Sequence, residues 1–133
     1  MMKYVSTSLV MLAGMVGAQT TPQHTRREML VFVAMYERGS AWQEGRDVPE
    51  QPGFSEHVQY LYAHAEEIVA AGPFPMEPAD RVIGLLVFQA HDQEAAEQCI
   101  AQDPGIRSGV FKATVRHWRV RRVRSVEMTP EGK

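Results

Sequence analysis

The side chain best placed for proton chemistry is His57, in the run FSEHVQYLYAHAEEIVAAGP at positions 54–73. Imidazole titrates near neutrality, so it can take and return a proton at working pH. Phe54, Val58, Leu61, Tyr62, Ala65 and Ile68 recur at helical spacing. At about 100° per residue His57 falls roughly 60° from Phe54, at the margin of that apolar stripe. A ring there is either a half-buried acid–base group or an edge side chain touching water. At such an edge it adds little packing, so losing an acid–base His57 should cost less than about 1 kcal/mol of stability, whereas a core histidine would cost more. His64 shares that side of the helix but lies seven residues on. That is about 10.5 Å along the axis, whereas two nitrogens on one zinc ion lie within about 4 Å. No metal site is expected.

Other reactive types carry less. Cys99 is the one cysteine in the chain, cannot close an intrachain disulfide, and sits at an inward helical position, where a small core residue is the expectation. Trp42 stands alone among charges in the stretch 39–53, which is broken by Gly39, Gly45, Pro49, Pro52 and Gly53. A loop this long serves either as a lid or substrate rim, which makes Trp42 a candidate substrate contact, or as a mobile crossover. Arg116, Arg119, Arg121, Arg122 and Arg124 guard an edge strand without interleaved aromatics, so nucleic acid is not expected as a partner. GxSxG, P-loop and GxGxxG signatures are absent, and no cofactor is expected.

The elements that must hold these groups follow from pattern. Met29–Tyr36 and Val82–Ala90 are apolar almost throughout and read as strands buried on both faces. Between them the stripe predicts a long helix from Phe54, with Ser55 as its cap, Glu56 in the first turn, and Gly72 and Pro73 closing the far end. Phe74–Arg81 is a proline-interrupted turn with room for a short strand at its start. Asp92 caps a helix over Gln93–Gln102, the Asp-Pro-Gly at 103–105 stops it, and a last strand runs from Phe111 to about Val120. This order predicts a ferredoxin-like α+β fold, a βαββαβ-type sheet with two helices on one face. The other face needs a cover that the chain does not supply, so a homodimer is expected.

Residues 1–18 have the outline of a secretory signal peptide, with Lys3, an apolar run, and small residues at Gly17 and Ala18. Residues 19–28 read as a polar tether, 29–126 as the single domain and 127–133 as a flexible tail. The expected location is periplasmic or secreted, or cytoplasmic if translation starts at Met29. No later stretch reaches the roughly 20 apolar residues of a membrane span, so no membrane contact is expected of the mature form. A formal net charge of −2 gives no global pull toward polyanions.

From Met29 to about Val120 the chain resembles the YciI-like (YCII-related) family of small dimeric α+β barrel proteins. The residues that carry the likeness are His57 in HVQYL, Gly72 and Pro73 in AAGP, the VIGLLVF strand, EAAEQ, the Asp103–Pro104 pair and Gly109 in SGVF. The resemblance implies that His57 and Asp103 form an acid–base dyad in a pocket near a dimer interface, with Gly72 and Pro73 as candidate substrate contacts. Such a dyad suits proton abstraction, isomerisation or elimination, so a cofactor-independent lyase or isomerase acting on a small organic molecule is expected. The alternative is a non-catalytic dimer that binds a small molecule in the same pocket. The leader and the enlarged 39–53 loop depart from the family pattern.

Overall fold

A computed structural model describes residues 29–128. The expected signal peptide and tether, and the last residues of the tail, lie outside the described residues. In chain order the elements are β1 (Leu30–Arg38), a 3-10 turn (Val48–Glu50), α1 (Phe54–Ala63), β2 (Ile68–Pro73), β3 (Val82–Ala90), α2 (Gln93–Ala101), α3 (Pro104–Arg107) and β4 (Phe111–His117). The four strands form one sheet in the order β2-β3-β1-β4, with every neighbouring pair antiparallel. This is the ferredoxin-like α+β arrangement. Among the described residues no helix is long and apolar enough to cross a membrane.

Helix α1 is shorter than its apolar spacing predicts. It ends at Ala63, and Ile68–Pro73 is an edge strand, so Gly72 and Pro73 close a strand and not a helix. β-branched Ile68 and Val69 suit the strand, and its inner edge pairs with β3, with the Gln89 amide also donating to the Glu67 carbonyl at 2.8 Å. The helical spacing misleads because Ile68 turns its apolar side chain to the same cavity from a strand. The start differs too. Gly53, at φ 84°, occupies the N-cap without a side-chain bond, and Ser55 lies inside the helix. By contrast Asp92 caps α2 as expected, accepting from the Ala95 amide at 2.8 Å.

Alternation sets the two faces of the sheet. Phe32, Ala34 and Tyr36 on β1 lie opposite Phe88, Leu86 and Gly84 on β3, and the large members of this row are buried beneath the helices with Ala96 and Ile100 of α2. The register then slips between Tyr36 and Glu37. The opposite row, Val31, Val33, Met35, Leu85 and Val87, is only half-buried. The two central strands are therefore covered on one face within a single chain, not on both. The physical reason is that α1, α2 and α3 all take the same side, leaving an apolar row open on the other.

Candidate functional site

Asp103 ends α2 and begins α3, and the local sequence fixes its direction. As N-cap of α3 it is held in extended geometry ahead of Pro104, and its Oδ1 accepts the Gly105 amide at 2.8 Å. Its Oδ2 accepts the Tyr36 hydroxyl at 2.8 Å and meets His57 Nδ1 at 2.7 Å. The carboxyl is fully buried at 0% exposure, so these three donors replace water entirely. The Gly105 amide and the Tyr36 hydroxyl donate to it, and a carboxylate, which only accepts, takes a third bond from an Nδ1–H. Burial, and after it the charge of Asp103, raises the Tyr36 hydroxyl far above the ordinary range of a phenol, so Tyr36 stays a donor.

His57 lies in the first turns of α1 and is more enclosed than an edge side chain, at 9% exposure. Its ring sits edge-on to Phe111 and Tyr36, with centroids 5.1 and 5.4 Å away, and tilted against Phe54 at 6.0 Å. This aromatic collar holds the ring's plane while Asp103 holds its rotation. Because a carboxylate can only accept, Nδ1 carries the proton and Nε2 keeps its lone pair. No buried side-chain nitrogen or oxygen among the described residues lacks a partner. Nε2, which has no partner among the described residues, therefore opens on the cavity that His57 lines.

That cavity, about 490 Å³, lies between α1 and the β2–β3 side of the sheet. The helix supplies Phe54, Val58 and Leu61, the strands Ile68, Ile83 and Leu86, and β4 closes one end with Phe111. Its size is that of a small-molecule site. Gly105 keeps the collar closed-packed, since a Cβ there would meet Phe111 Cδ2 at 2.6 Å and His57 Cβ at 3.2 Å.

The structure brings His57 and Asp103 together across 46 residues of chain and sets Gly72 and Pro73 on the cavity wall. Trp42 does not line it. The indole packs behind Phe111, centroids 6.1 Å apart, with the Arg38 guanidinium 5.6 Å from its ring. The loop is not a free lid, because buried Gln51 ties it: its side chain accepts from the Gln43 amide and donates to the carbonyls of Gln43 and Arg46. The loop reaches the cavity through Val48 instead. Spacing does not single out Tyr36 or Gln51. A tyrosine inside an apolar strand is the available signal for the first, because a buried hydroxyl needs a partner; Gln51 has none. Cys99 is half-buried against the core, away from the cavity, with its carbonyl accepting the Tyr60 hydroxyl at 2.6 Å. No group of three or more His, Cys, Asp or Glu among the described residues is placed to hold a metal ion.

Residues 29–119 match the YCII-related domain. In structure the chain is similar to the 5-chloro-2-hydroxyhydroquinone dehydrochlorinase TftG of Burkholderia phenoliruptrix AC1100, solved in complex with 2,5-dihydroxybenzoquinone. The TM-score is 0.51 at 19% identity, covering 68% of this chain and 94% of that one. At this identity the likeness is one of fold. No curated protein matches the sequence.

Proposed function

Because the chain belongs to the YCII-related domain family, we propose that it is a lyase or isomerase for a small organic molecule, working without a cofactor. His57 is the acid–base group and Asp103 the carboxylate that orients it. The observation that carries this reading is the 2.7 Å contact between His57 Nδ1 and the buried Asp103 carboxylate, set at the wall of an apolar cavity. The Nε2 lone pair takes a proton from the bound molecule, and Asp103 stabilises the imidazolium that results. The proton then returns to another atom of the same molecule, which is an isomerisation, or the electron pair expels a leaving group, which is an elimination. Positioned base catalysis of this kind contributes about 10² to 10⁴-fold in rate.

Solvent exchange tests this without knowledge of the natural substrate. In deuterated buffer the protein should accelerate hydrogen–deuterium exchange in some member of a panel of small carbon acids, read by proton NMR, and His57→Gln should abolish it. The competing reading, a non-catalytic small-molecule binder, fits the same apolar cavity and predicts binding without exchange. Absence of exchange across the panel would favour the binder.

The half-buried row on the open sheet face supports a homodimer, since pairing two such faces removes both apolar rows from water. A concentration-independent monomer in sedimentation would contradict that. Export through residues 1–18 is also proposed, on the leader composition alone. N-terminal sequencing from the native host should then start near Gln19, and a start at Met1 or Met29 would refute it.

A further inference from the structure

The wall that surrounds His57 restricts what can enter. Among the described residues lining the cavity none is Lys, Arg, Asp or Glu, and His57 is the one side chain there able to carry a positive charge. Of the two tyrosines in the wall, Tyr36 donates its hydroxyl to Asp103 and not to the cavity, and Tyr62 is largely exposed to solvent. A carboxylate or phosphate entering this space would leave water for aliphatic and aromatic walls, with no guanidinium or ammonium to meet it. The negative charge of Asp103 behind the imidazole would oppose it further.

Resting on the acid–base reading above, we propose that the cavity selects an uncharged, ring-sized weak acid, an enol or a phenol, against permanent anions. The volume of about 490 Å³ accommodates a substituted ring and its substituents. The slot between α1 and the sheet, with Phe54 and Phe111 in its wall, suits a flat apolar body. Charge is then created only inside the site. The ligand O–H bond breaks, its proton forms a bond to Nε2, and its electron pair stays on the ligand oxygen. The new anion faces an imidazolium whose other proton is held by Asp103. A neutral pair becomes an ion pair, and no net charge crosses the apolar wall.

Three probes of one shape separate the terms: 4-nitrophenol, a weak acid; 4-nitroanisole, neutral with no acidic hydrogen; and 4-nitrobenzoate, a permanent anion. Binding to the whole protein is measured by calorimetry at neutral pH, with absorbance recording the phenolate band. Nitrophenol and nitroanisole should bind, and nitrobenzoate should bind about tenfold more weakly or worse than either. Nitrophenol should gain phenolate absorbance on binding, and His57→Gln should remove that gain. Nitrobenzoate binding as tightly as the other two, or no binding by any of the three, overturns the charge selection. Intact selection with no phenolate gain in the unmodified protein supports the neutral ligand class and overturns the proton transfer to His57.

Discussion

Replacing Asp103 by alanine strips three donors of their acceptor at once: the Tyr36 hydroxyl, the Gly105 amide and His57 Nδ1. His57 can turn toward the cavity and recover water, but Tyr36 and Gly105 are buried. Each buried donor left unsatisfied costs about 1–3 kcal/mol, so Asp103→Ala should lose about 3–5 kcal/mol, a large part of a small domain's stability. Asp103→Asn should lose only about 1–2 kcal/mol, because each of the three contacts keeps a neutral partner and only the Tyr36 O–H is left without an acceptor. The amide oxygen keeps the Gly105 N–H, while the amide nitrogen donates to the Tyr36 oxygen and to an imidazole that has moved its proton to Nε2. Adding Tyr36→Phe to Asp103→Ala removes one orphan, so the double variant should be about 1 kcal/mol more stable than the sum of the singles predicts. Urea unfolding followed by circular dichroism reads the unmodified protein and the four variants, Tyr36→Phe alone included. An alanine variant within about 1 kcal/mol of the unmodified chain, or an asparagine variant as unstable as the alanine one, would refute this network.

His57→Ala leaves the Asp103 carboxylate with one donor fewer in a buried site, and should therefore cost about 2–3 kcal/mol, more than the edge position in the sequence implies; urea unfolding checks it. Gly39→Ala should cost about 3 kcal/mol or more by the same assay, because its Cβ would lie 2.0 Å from the Gly109 carbonyl oxygen, a backbone atom that cannot step aside. Tyr36 is raised by burial and then by Asp103, and Tyr60 by burial and its bond to Cys99. Their protonated forms belong to the fold, so the stability they contribute is complete below the free-phenol value of about 10 and declines as pH rises above it. Absorbance at alkaline pH should show these two ionising only as the protein unfolds, and reversible ionisation near the free-phenol value in the folded protein would contradict that.

Legibility in the sequence followed the range of the interaction. Asp92 and the helix it caps, and the two central strands, are set by neighbours in the chain, and pattern alone places them. β2 escaped because AEEIVAAGP continues a helical period, while its real partner is the edge of β3. At the site, spacing marked His57 as a titratable group at a helix margin, but nothing local connects it to Asp103, 46 positions away, and that pairing came only through family resemblance. Tyr36 completes the network from a third element, and only its type hinted at a partner. Trp42 is an aromatic in a long loop, which suggests a substrate rim, yet Gln51 ties that loop down and the indole packs behind the cavity wall.

The most direct test of the central claim is the position of one proton. Nitrogen-15 NMR of histidine-labelled protein, at a pH where the ring is neutral, should place the proton of His57 on Nδ1, facing Asp103, and the lone pair on Nε2, facing the cavity. In Asp103→Asn the proton should move to Nε2, leaving no base toward the ligand. A proton on Nε2 in the unmodified protein, or the same tautomer in both, would contradict the assignment of His57 as the cavity's base.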